Sequence, residues 1–144
     1  IKEKIMDTES NTKFQYGLDM ATVEIADSVV LEVATKVVQN VPGVHALSPR
    51  FYDEIVDGIV NRFGQKTLPG INIKHRKGFL EINLYVRVYY GQNIVALAEL
   101  LQQEIRENLK NMLDLYNVKV DVHIEGVEPI NTKEISSNGS NKTE

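Results

Sequence analysis

The 144-residue chain carries sixteen Lys and Arg against twenty Asp and Glu, a formal net charge of −4, and 42% hydrophobic residues, which fits one globular domain with tails. It has no cysteine, so a disulfide framework, a thiolate zinc or iron–sulfur site and a cysteine nucleophile are excluded. The acidic balance argues against a chain that coats nucleic acid by bulk charge, and no apolar run reaches the roughly 18–20 residues needed to span a bilayer.

In chain order, Asp7 to Lys13 is polar and lacks an apolar period, and residues 129–144 hold only Ile130 and Ile135 as apolar side chains. Such segments bury too little surface to offset an ordering entropy of about 1–2 kcal/mol per residue. The expected organisation is a disordered N-terminal segment over 1–17, one folded domain over 18–128 and a disordered polar tail over 129–144. No charged-then-apolar leader opens the sequence, and the expected location is the cytoplasm.

Inside the domain the hydrophobic period changes several times. Ala21 to Ala26 alternates, with Val23 and Ile25 on one face, and predicts a short strand. Asp27 fits an N-cap, since a carboxylate there accepts the unpaired amides of a first turn. Val30, Val33, Ala34, Val37 and Val41 follow at helical spacing, and Pro42-Gly43 ends that helix. Val44 to Leu47 reads as a second strand. Phe51 to Phe63, with Ile55, Ile59 and Phe63 on one stripe, predicts a short amphipathic helix weakened by Gly58. Gly64 to Gly70 is a predicted loop. Ile71 to His75 and Phe79 to Tyr90 alternate as strands joined by a Lys77-Gly78 hairpin turn, in which glycine supplies a positive φ.

Ile94 to Leu113 is the strongest predicted helix, striped by Ile94, Leu97, Ala98, Leu101, Ile105, Leu109 and Met112. Asn117 to Val127 closes the domain as a strand, with Val118, Val120, Val122 and Ile124 alternating against Lys119, Asp121, His123 and Glu125. The order β-α-β-(α)-β-β-α-β, with strictly alternating strands, implies a sheet with one buried and one wet face. The expected fold is therefore α+β: a two-layer sandwich, mostly antiparallel, with its helices on one face.

Motifs of catalysis are missing from the sequence. There is no Gly-x-Ser-x-Gly, no GxGxxG and no GK[ST], and Ser28 and Ser48 sit beside a helix start and a proline. His45, His75 and His123 would bind a metal only if the fold brought them together, and none has a carboxylate at ligand spacing, so they read as solvated or partly buried imidazoles. Asp53, Glu54 and Asp57 read as a solvated helix face. No catalytic residue, cofactor or metal is expected.

The wet face of the sheet is more informative. Parity places Glu81, Asn83, Tyr85, Arg87 and Tyr89 outward on the long strand. Tyr and Arg each cover apolar area while offering a polar tip, so a Tyr85–Arg87–Tyr89 row is a candidate partner-binding platform. Lys74-His75-Arg76-Lys77 is the densest positive run and belongs at the hairpin tip, which makes Lys74, Arg76 and Lys77 further candidates for partner contact. The same tip and row could contact nucleic acid as an alternative, although the recognised stacking motif is missing and the net charge opposes it.

Together these stretches resemble the alkaline shock proteins, also called Gls-type envelope stress proteins, of Gram-positive bacteria. The resemblance is carried by Val23-Glu24-Ile25-Ala26 with the Val-rich helix, Val41-Pro42-Gly43-Val44, Gly64 and the loop to Gly70, Ile82 to Gly91, Ile94 with its helix to Asn111-Met112, and Val118 to Val127. It covers nearly all of residues 21–128. The stretch Ile59 to Gly64 is similar to a cytosolic branch whose genes lie beside those of acetyl-CoA carboxylase. The resemblance implies a small, non-enzymatic, cytoplasmic protein that self-associates and binds other proteins in envelope stress or lipid-synthesis homeostasis. The implied partners are a small membrane anchor protein, which would hold it peripherally at the inner membrane face, or proteins related to acetyl-CoA carboxylase.

Overall fold

The computed structural model of the chain describes residues 5–6, 13–18, 20–49 and 67–130. The expected helix over 51–63, the Asp53/Glu54/Asp57 cluster, the Ile59 to Gly64 stretch and nearly all of the polar tail lie outside the described residues. What is described is an α+β sandwich: one sheet covered on one face by two helices, with a second, smaller sheet ahead of the first helix.

That smaller sheet corrects the expectation that nothing regular forms in residues 1–17. Its strands are β1 (Ile5–Met6), β2 (Lys13–Tyr16) and β3 (Val23–Ala26), antiparallel in the order β1-β2-β3, with Phe14 opposite Ile25 and Tyr16 opposite Val23. A lone alternating strand such as β3 leaves its ladder groups unpaired. The Lys-Phe-Gln-Tyr alternation of β2 supplies a partner, but over four residues the period is too short to stand out in the sequence.

Helix α1 (Asp27–Asn40) buries Val30, Leu31, Ala34 and Val38. Its N-cap is Ala26, which makes no side-chain cap bond. Asp27 is thus the first helical residue and is fully buried, which corrects its expected capping role. After the Pro42–Gly43 turn comes β4 (Val44–Leu47). Within the expected 64–70 loop, β5 (Thr67–Leu68) pairs antiparallel with the start of β6 (Ile71–Arg76). The Lys77-Gly78 hairpin, with Gly78 at φ +86°, leads into the eleven-residue β7 (Phe79–Tyr89).

Helix α2 (Ile94–Leu113) starts where the Asn93 side chain accepts from Ala96 N at 3.0 Å. It ends at Asp114, whose left-handed φ of 54° lets the N–H of Leu115 return to Leu109 O at 3.2 Å. Its buried stripe is Leu97, Leu101, Ile105 and Leu109. Met112, expected on that stripe, is exposed. It lies in the final turn, beyond the last buried residue, Leu109. The helix is a crossover from β7 to β8 (Val118–Glu128), so those two strands run parallel in an otherwise antiparallel sheet.

β7 is the axis of this sheet. β8 follows one of its edges from Leu80 to Tyr89. The other edge is shared end to end, with β6 opposite residues 79–84 and β4 opposite residues 86–88. The seam is Tyr85, whose N–H donates to Gly70 O and whose carbonyl accepts from Ser48 N, each at 2.8 Å. Gly70 sits there at φ +77°, and a Cβ would lie 2.7 Å from Ser48 O and 2.9 Å from Tyr85 O, so glycine alone fits.

Alternation along β7 is complete. Leu80, Ile82, Leu84, Val86 and Val88 are all fully buried against the helices, with Ile71 and Ile73 of β6 and Val118 and Val120 of β8 beside them. Each large aliphatic side chain so buried contributes roughly 1.5–3 kcal/mol, and this single inner layer is what orders the opposite face.

Candidate functional site

The opposite face of the sheet carries the odd-numbered side chains of β7, and each of them is half-buried. Tyr85 lies flat on His123 of β8, with ring centroids 4.4 Å apart and planes 11° apart. Tyr89 meets His45 edge-on at 5.3 Å. Arg87 Nε donates to Glu128 Oε1 at 2.6 Å. The guanidinium rests over Gly126, where any Cβ would collide with it, so this glycine serves a close approach. The row expected from parity is therefore present and prearranged, each member held by a neighbour on β8 or β4.

The basic run divides. Lys74, Arg76 and Lys77 are exposed, and Arg76 Nη2 donates to Glu81 Oε2 at 3.4 Å. Asn83 Nδ2 donates to the same oxygen at 3.0 Å. Asn83's hydrogen bond, and next Arg76, hold the Glu81 carboxyl below its ordinary value against the opposing effect of burial. Lys119 Nζ lies 3.4 Å from Asp121 Oδ2 on β8. Positive groups thus alternate with Glu81, Asp121 and Glu128, and the face is charge-mixed.

His75 leaves the run altogether. It follows Ile71 and Ile73 onto the inner side, where its side chain is 4% exposed and its Nε2 lies 2.9 and 3.0 Å from the two carboxylate oxygens of Asp27. This pair fastens the start of α1 to the end of β6. Nothing in the sequence links the two residues, yet each carries a signal: inward parity for His75, and a helix start for Asp27. The three histidines do not converge, and among the described residues no group of three His, Asp or Glu side chains could hold a metal ion. Also unforeseen is the bond from Ser48 Oγ to Glu125 Oε1 at 2.7 Å, which reaches across β7. It follows from a register slip at Glu125, where β8 passes from Ile124 opposite Val86 to Gly126 opposite Arg87.

On the helix side two grooves flank Met112. One, of about 470 Å³, runs between α1 and α2 over Val33, Val37, Val41 and Leu100. The other, of about 380 Å³, is lined by Leu18, Val23, Ile25 and Leu113. No helix among the described residues is long and apolar enough to cross a membrane.

Residues 17–129 match the model of the alkaline shock protein 23 family, described as having a cell envelope-related function. The chain belongs to this family. The resemblance read from residues 21–128 therefore holds. A relative, the uncharacterized protein YqhY of Bacillus subtilis (strain 168), is 29% identical over 110 residues, or 76% of this chain and 78% of the relative. No solved structure gives a significant match. The family places the chain in a cell envelope-related function, and its description names no reaction.

Proposed function

We propose that the chain is a non-enzymatic interaction module of the cell envelope, acting through the wet face of its sheet and through self-association. The observation that supports this most is the ordered aromatic and ionic row Tyr85–His123, Arg87–Glu128 and Tyr89–His45 on that face. Side chains already fixed by neighbours lose little rotamer freedom on binding, and Tyr and Arg are the residue types that concentrate binding energy. Lys74 and Lys77 at the adjoining hairpin tip extend the surface toward an acidic rim on a partner. The partner is a protein of the envelope, either a small membrane-anchored one that holds the chain at the inner membrane face or one of lipid synthesis related to acetyl-CoA carboxylase.

The experiment is quantitative co-purification of envelope proteins with the tagged full chain. Tyr89→Ser removes an anchor without touching the inner layer, so capture of a specific envelope protein falls roughly tenfold or more while the unfolding midpoint stays put. Undiminished capture removes Tyr89 and its row from the binding surface.

A further inference from the structure

β8 lies at the boundary of the sheet, and among the described residues no strand pairs with its outer edge. Backbone parity fixes what that edge presents. Asn117 O accepts from Leu80 N at 2.9 Å, so odd-numbered backbone groups near the start of β8 turn toward β7 and even-numbered ones turn away. Val120 O bears this out, because it accepts from Gln102 Nε2 of α2 at 3.0 Å rather than from β7. The outward set is Val118, Val120, Val122 and Ile124, ending at the register slip after Ile124.

We propose that this edge is the self-association site: β8 of a second copy pairs with it antiparallel about a two-fold axis at Val122, and two sheets become one. The inference rests on the self-association reading above and adds its surface and its register. Hydrogen bonds form only where outward groups meet outward groups, so the register can change only in steps of two residues. With Val122 on the axis, Val120 meets Ile124 in hydrogen-bonded pairs. On the wet face Lys119 then meets Glu125 and Asp121 meets His123, in the pairs where side chains approach most closely. One step in one direction sets Asp121 against Asp121 of the second copy. One step in the other sets Asp121 against Glu125. Like charges placed opposite are destabilising, so charge complementarity favours this register over the one on either side of it and suits a copy of the same chain as occupant.

The groups concerned are already ordered along one face. Lys119 lies beside Asp121, His123 is stacked on Tyr85, and Glu125 Oε1 accepts from Ser48 Oγ. A groove of about 420 Å³ bounded by Gln102, Arg106, Leu115 and Tyr116 leaves room near the start of β8. Gln102 opposes the pairing, since it holds Val120 O, the acceptor that Ile124 N–H of the second copy requires. Side chains that cover an edge are a recognised restraint on sheet association, and here the restraint rests on one residue.

The test uses the full chain, which has no cysteine of its own. Hydrogen-bonded antiparallel partners have Cα atoms about 5.5 Å apart, inside disulfide range, so Val122→Cys crosslinks to itself under mild oxidation while Asn111→Cys, exposed on α2, does not. In sedimentation, His123→Glu weakens the dimer about tenfold, Asp121→Lys combined with His123→Glu restores it, and Gln102→Ala tightens it. A dimer that forms without the Val122 crosslink, or that ignores the charge exchange, overturns pairing through β8 and leaves self-association standing. A strict monomer at every concentration overturns both.

Discussion

Asp27 and His75 show how much one pair of side chains decides. They are 0% and 4% exposed, and together they tie the first residue of α1 to the inner side of β6. His75→Leu leaves the Asp27 side chain buried without this partner, at a cost of about 3–5 kcal/mol, whereas Asp27→Leu combined with His75→Leu costs less than the single change. Urea unfolding of the three variants checks this, and a double variant weaker than His75→Leu contradicts it. Glu81 gives a pH-dependent counterpart. Its carboxyl is held below its ordinary value of 4.5 by Asn83 and Arg76. A lowered folded value means that the stabilisation is complete above the unfolded value and is lost as pH falls through the folded one. As pH falls below the ordinary value of 4.5, the native chain therefore loses more stability than Glu81→Gln, and parallel loss in the two refutes the assignment. Neither pair was legible in the sequence as a pair. Parity told which face Glu81 occupies, whereas His75 was read with the basic run at the hairpin tip, and a contact across 48 positions, as from Asp27 to His75, depends on how helix and sheet dock.

At the scale of elements, the strong periods carried. The twenty residues of α2 and the alternation of β7 are bounded within a residue of their predicted ends, because each buries a long regular stripe in one layer. Short elements escaped: β1, β2 and β5 have two to four residues each and exist through pairing with β3 and β6. The parallel direction of β8 was also hidden, since alternation is the same in either sense and only the crossover through α2 sets it. Turn chemistry gives a comparative prediction. Gly78 and Gly70 both have positive φ, but a Cβ at Gly78 meets nothing within 4 Å, while one at Gly70 strikes the carbonyls of Ser48 and Tyr85. Gly78→Ala costs about 1–2 kcal/mol for the backbone conformation alone. Gly70→Ala costs clearly more and loosens the seam where β4 and β6 meet on β7. Thermal unfolding of both variants decides it, and equal losses would remove the seam's special role.

Across the whole molecule the two faces have different duties. The helix side shelters the inner layer and leaves apolar grooves around Met112. The sheet side shows a charge-mixed face whose tyrosines and Arg87 are fixed in advance. Composition and missing motifs pointed away from catalysis, and the family match over residues 17–129 supplies a cell envelope-related setting. Parity alone put Tyr85, Arg87 and Tyr89 on one surface. Their fastenings, Gly126 and Glu128 on β8 and His45 on β4, left no trace in the sequence, because they depend on the register of neighbouring strands. The most direct measurement is photocrosslinking in living cells from a reactive residue placed at Tyr89, compared with one placed at Met112. Covalent capture of a distinct envelope protein from Tyr89 and not from Met112 is the expected result. Capture from Met112 alone, or equally from both, contradicts the account.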